Sequence, residues 1–66
     1  MNVIVNGAPR ELPEGASVAE AVASVTPAGT GVAAALNEEV VRRSAWETTA
    51  LRDGDRLEVL TAVQGG

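Results

Sequence analysis

A chain of 66 residues without a single cysteine has to hold its fold with one small core, because no disulfide and no thiolate metal site can staple it. At this size, folding hides only roughly 60% of the surface that the unfolded chain exposes. The compact solution is one domain, a sheet with a helix lying across it. Histidine and tyrosine are absent too, which removes the usual neutral-pH general base, the imidazole metal ligand and the phenolic acid together. The expectation is a chain with no catalytic residue of its own, no bound metal and no bound cofactor.

The net charge is −4, from nine carboxylates against five basic residues, and all five of those are arginine. Nucleic acid is excluded as a partner on this balance, since phosphate binding needs a concentrated basic surface. A partner with a basic docking face, such as an enzyme that also handles a nucleoside triphosphate, has the complementary sign. Without lysine, the N-terminus is the one amine of the chain, so side-chain conjugation to copies of itself has no acceptor. The longest apolar run, residues 32–36, is far short of the ~20 residues that cross a bilayer, and no segment has the make-up of a signal peptide. The sequence predicts a cytoplasmic protein with no membrane partner.

Residues 1–5 alternate, with Met1, Val3 and Val5 on one face as in a half-buried strand. Asn6-Gly7 follows, a dipeptide that tolerates the positive φ angles of a two-residue hairpin. The chain should therefore return over residues 8–12 as an antiparallel strand, which Pro9 places near a sheet edge. Ser17-Val18-Ala19-Glu20 has the form of a capping box. Val18, Ala21, Val22 and Val25 then recur at helical spacing, and the helix should end near Thr26-Pro27.

Residues 32–36 read as a buried strand, turned by Asn37-Glu38-Glu39 into Val40-Val41. Residues 42–49 have no clean period and hold the one aromatic residue, Trp46, read as a core plug in preference to a binding platform. Leu51 should cap the core, and Arg52-Asp53-Gly54-Asp55 is a turn signal. Asp53 and Asp55 read as turn chemistry, not metal ligands. Ser44, Thr48 and Thr49 have no base to activate them as nucleophiles. Residues 56–60 alternate again, with Leu57 and Val59 inward. The result is an α+β domain: a mixed sheet of four to five strands packed on one helix, with the first and last strands parallel at its centre.

The ending Thr61-Ala62-Val63-Gln64-Gly65-Gly66 has no charged side chain and no bulk at its tip. Residues 1–62 form the expected domain and residues 63–66 a flexible tail. Extended, Val63 to Gly66 would span about 13 Å at ~3.3 to 3.6 Å per residue, enough to thread a narrow channel. Glycine has no Cβ, so channel walls can close on the backbone while the terminal carbonyl stays open to attack. A terminal carboxylate is ionised at neutral pH, with a reference pKa of ~3.3 to 3.7, and is a poor electrophile. Transfer of AMP from ATP would turn it into a mixed anhydride, from which a sulfur donor displaces AMP to leave a thiocarboxylate. The charge stabilisation for that step, Mg²⁺ included, would have to come from an activating enzyme.

Together, Met1-Asn2-Val3-Ile4-Val5-Asn6-Gly7, Leu36-Asn37-Glu38-Glu39-Val40-Val41, Leu51-Arg52-Asp53-Gly54-Asp55-Arg56-Leu57-Glu58 and Ala62-Val63-Gln64-Gly65-Gly66 resemble the sulfur carrier (ThiS) family of thiamine biosynthesis, over essentially the whole chain. The resemblance implies a ubiquitin-like β-grasp fold. It implies that Gly66 is adenylated and then thiocarboxylated, with Gly65 as its required neighbour, and that the sulfur goes to a thiazole synthase. The implied partners are an E1-like adenylating enzyme that uses ATP and Mg²⁺, a sulfur donor system and the thiazole synthase. Gln64 and Val63 belong to the tail that gives access.

Strand periodicity sends Ile4 and Leu60 to the sheet face that no predicted element covers, and the two are expected to lie close together in an apolar docking patch. Three other readings stay open. The small subunit of molybdopterin synthase uses the same terminal chemistry, though such chains run longer and carry more aromatics. A carrier for another sulfur product differs only in its acceptor. A β-grasp binding module with an inert tail would be indifferent to deletion of Gly66.

Overall fold

The N-terminal alternation becomes strand β1 (Asn2–Val5), with Val3 and Val5 buried, in a computed structural model that describes residues 1–26 and 31–61. Asn6 and Gly7 follow with φ of 51° and 82°. Two consecutive left-handed residues make the turn whose twist matches a hairpin, and β2 (Ala8–Glu11) returns antiparallel with Val5 opposite Ala8. The expected strand reached Leu12. The strand proper stops at Glu11, although the Leu12 N–H still donates to the Met1 carbonyl at 2.8 Å. β2 is an edge strand, the place where a proline does not break a ladder on both sides.

Helix α1 spans Val18–Val25 and opens with the anticipated capping box. The Ser17 hydroxyl accepts from the Glu20 N–H at 3.2 Å, and the Glu20 carboxylate accepts from the Ser17 N–H at 3.3 Å. These contacts satisfy two N–H groups of the first turn that have no partner inside the helix. Val18, Ala21 and Val22 are buried, and Val25 packs partly against the same cluster. The chain becomes extended at Thr26.

Strands β3 (Val32–Leu36) and β4 (Glu39–Val41) form the second hairpin. Two sequence expectations change here. Glu39 belongs to β4, so the turn consists of Asn37 and Glu38, at φ 49° and 72°. And β3 is not buried as a whole: Ala34 alone is buried, while Ala33 is exposed. A continuous apolar run usually signals cover on both faces of a sheet. Here the helix covers one face, and small alanines make the outward positions tolerable.

The aperiodic segment holds a single 3₁₀ turn, Arg43–Ala45, after which Trp46 enters the core. This segment lies against the start of α1, where Val18 N–H donates to Thr49 O at 2.9 Å and Leu51 N–H to Ala16 O at 2.8 Å. Leu51 is buried as expected. Strand β5 (Arg56–Thr61) then runs parallel to β1 and antiparallel to β3. Among the described residues the sheet order is β2-β1-β5-β3-β4, a β-grasp sheet with the last strand at its centre. Val3, Val18 and Leu57 are the largest side chains with essentially no exposure to solvent, and Trp46 and Leu51 are buried beside them.

Candidate functional site: the open sheet face and the end of β5

The tail residues Val63, Gln64, Gly65 and Gly66 lie outside the described residues, which end at Thr61. What can be described is the platform from which they continue. The centre of the sheet is β5, and its outward side chains are Arg56, Glu58 and Leu60, all exposed. Leu60 stands opposite Ala33 and Glu58 opposite Ala35, while Ala35 also faces Val40 on β4. Facing residues of an antiparallel pair share a side of the sheet, so Leu60, Ala33, Ala35 and Val40 lie on one open face. Val40 and Leu60 are the large apolar side chains most given up to solvent, at 83% and 68% exposure.

Ile4 is on the same face, but it is not the neighbour of Leu60 that the sequence suggested. The parallel register sets Ile4 opposite Arg56, four positions before Leu60 and thus about 13 Å away along the strand at ~3.3 Å per residue. Alternation gives the face of a side chain, whereas register gives its height, and the register of a long-range parallel pair cannot be read from either strand alone. Ile4 is also half-buried. Val40 was missed for the converse reason: once the turn is Asn37-Glu38, the pairing of Val40 with Ala35 puts it outward.

The turn that feeds β5 is stapled by its own carboxylates. Asp53 accepts from the Asn2 N–H at 2.7 Å, and Asp55 accepts from the Arg52 N–H at 2.8 Å and from the Asn37 carboxamide at 3.1 Å. The N-terminal ammonium of Met1 donates to Leu12 O at 2.8 Å, with Glu11 at 3.4 Å. Among the described residues no polar side chain is buried, and no group of three potential metal ligands comes together. Nor is any described helix long and apolar enough to cross a membrane.

Two asparagines, both at the first position of a hairpin turn, grip β5. Asn37 donates its backbone N–H to Arg56 O at 2.8 Å, and its side-chain oxygen accepts from the Arg56 N–H at 3.0 Å. Asn6 donates its backbone N–H to Leu57 O at 2.9 Å. Its carboxamide then takes both backbone groups of Val59, accepting from the N–H at 2.8 Å and donating to the carbonyl at 3.2 Å. The sequence marked Asn6 and Asn37 as turn residues; what their side chains reach was not legible there.

The chain is similar in sequence and fold to known proteins over its whole length. The crystal structure of the thiamine biosynthesis protein ThiS from Geobacter metallireducens is 36% identical, with both chains covered in full and a TM-score of 0.80. The solution structure of a thiamine biosynthesis protein from the same organism is 36% identical, with a TM-score of 0.81, over all of this chain and 88% of the other. No curated protein matches the chain. The ThiS family model matches residues 3–66, a span that takes in every strand but the first residue of β1, the helix and the closing glycine pair, and on that match the chain belongs to the ThiS family.

Proposed function

We propose that this protein is the sulfur carrier for assembly of the thiazole moiety of thiamine, and that its working group is the carboxylate of Gly66. The observation that carries this reading is the family match, which runs through Gly65 and Gly66 to the last residue. An E1-like adenylating enzyme supplies ATP and Mg²⁺. A carboxylate oxygen of Gly66 attacks the α-phosphorus of ATP, and pyrophosphate leaves. Hydrosulfide from a sulfur donor system then attacks the acyl carbon, the bond to AMP breaks, and a thiocarboxylate remains on Gly66. No electrons are gained or lost in either step. The thiocarboxylate sulfur passes to a thiazole synthase.

The closing Gly65-Gly66 pair fits this chemistry, since a channel can close on a glycine backbone and exclude water from the anhydride. The open sheet face is the docking surface of the proposal. Leu60 lies near the end of the central strand β5, Ala33, Ala35 and Val40 extend the face across β3 and β4, and Ile4 lies towards its other end. The net charge of −4 favours partners with a basic face.

The test is intact and fragment mass spectrometry of the chain after incubation with ATP, the adenylating enzyme and sulfide. Fragments are essential because oxidation of Met1 or Trp46 mimics the nominal gain of replacing oxygen by sulfur. Sulfur located at Gly66 supports the carrier. An unmodified carboxylate after exposure to an enzyme active on another ThiS protein sinks it, and a binding module with an inert tail takes its place.

A further inference from the structure

The hold of Asn6 on β5 has a geometry that a turn alone does not require. β1 ends at Val5, where the hairpin carries the chain away, but β5 continues to Thr61. Beyond Leu57, which lies opposite Val5, β5 has no β1 residue beside it. On its other side, β3 pairs with it to the end, with Ala34 opposite Val59 and Val32 opposite Thr61. The Asn6 carboxamide stands where the next peptide group of β1 would be, offering one acceptor and one donor to Val59. An asparagine side chain has the same N–H and C=O pair as a peptide, so it can extend a ladder by one step. It also tolerates the left-handed backbone of this position, φ 51°.

We infer that Asn6 is a positioning residue for the reaction at Gly66: by bonding both backbone groups of Val59 it holds the end of β5 from the β1 side, and β5 is the strand after which the sequence runs on to Gly66. The inference rests on the proposed function. Val59 is seven residues from Gly66, and a reaction at the far end is sensitive to how the near end is held. Misplacement of a reacting group by ~1 Å can cost on the order of 100-fold in rate. Asn6 is not part of the apolar stripe of Leu60, Ala33, Ala35 and Val40, so its loss should spare docking and slow the chemistry.

The experiment compares the full-length wild-type chain with Asn6→Gly, Asn6→Asp and Ser17→Ala. Asn6→Gly keeps the left-handed turn and deletes the carboxamide; Asn6→Asp keeps the acceptor and loses the donor. Ser17→Ala weakens the distant helix start and is the control for lowered stability. Three quantities are read: hydrogen exchange at the Val59 amide, affinity for the adenylating enzyme by calorimetry, and turnover at saturating carrier from pyrophosphate release. For Asn6→Gly the expectation is faster exchange at Val59, affinity within about twofold of wild type, and turnover reduced about tenfold or more. Asn6→Asp should fall between, and it carries the test if Asn6→Gly does not fold. Ser17→Ala should turn over like wild type. Wild-type turnover in the folded Asn6 variant, or an equal loss in Ser17→Ala, overturns the positioning role while leaving the carrier reading intact. A wild-type chain that is never modified at Gly66 overturns both.

Discussion

The indole nitrogen of Trp46 donates to the carbonyl oxygen of Val41 at 2.8 Å, so the sole aromatic residue ties the irregular segment 42–50 to the last residue of β4. Its ring is buried in the core and Arg43 lies over it, 4.9 Å from the centroid. A core built mostly from valine and alanine depends heavily on one such side chain.

Trp46→Ala should therefore cost about 3–5 kcal/mol through lost contacts and the cavity left behind. A chain of this size has only ~3–10 kcal/mol in total, at ~0.05–0.15 per residue. Urea unfolding followed by circular dichroism should show most of the stability gone. Trp46→Phe keeps much of the apolar volume but loses the indole hydrogen bond to the Val41 carbonyl, and should cost less than the alanine variant.

The capping box gives a smaller, local effect. Ser17→Ala leaves the Glu20 N–H without its acceptor and should lower stability by ~1 kcal/mol. The change is read from the midpoint of denaturant unfolding, and an unchanged midpoint would mean that the Ser17↔Ala50 bridge secures the helix start unaided.

At the second hairpin a substitution should stabilise. Glu38 sits at φ 72° beside Asn37 at 49°, a turn geometry that asks for glycine at its second position. A left-handed conformation costs a residue with a Cβ ~1–2 kcal/mol, partly offset by the extra freedom that glycine has in the unfolded chain. Glu38→Gly should raise stability by about 0.5–1 kcal/mol, measured as a rise in melting temperature.

On the open face, Leu60→Asp and Val40→Asp should weaken binding to the adenylating enzyme about tenfold or more while leaving the unfolding midpoint nearly unchanged, as truncation at a packed interface centre commonly costs above ~1 kcal/mol. Ile4→Asp should lower stability as well, because Ile4 is half-buried. Calorimetric titration decides it; undiminished affinity in the Leu60 and Val40 variants would remove this face from the docking surface.

Much of the fold was legible because local chemistry and global packing agree. Asn6-Gly7, the Ser17–Glu20 box and the alternation around Leu57 and Val59 each specify one geometry, and each forms it. The exposure of Ala33 and the separation of Ile4 from Leu60 were not legible, because both depend on what lies on the far side of a sheet and on the register of strands fifty residues apart in sequence. The carboxamide of Asn6 was hidden for the same reason: its partner, Val59, is 53 residues away.

The central position of β5 also orders events in the life of the chain. The two hairpins are complete by Val41, yet neither touches the other in the sheet until Arg56 to Thr61 slots between them. Joining them requires contacts across nearly the full sequence, the kind whose closure slows folding relative to helical proteins of similar size. A molecule whose synthesis stops short of β5 is left with two unjoined hairpins, each marginal in water. The strand that completes the sheet is the same one that leads into the glycine pair, so a chain able to present Gly66 is also one that has the means to fold.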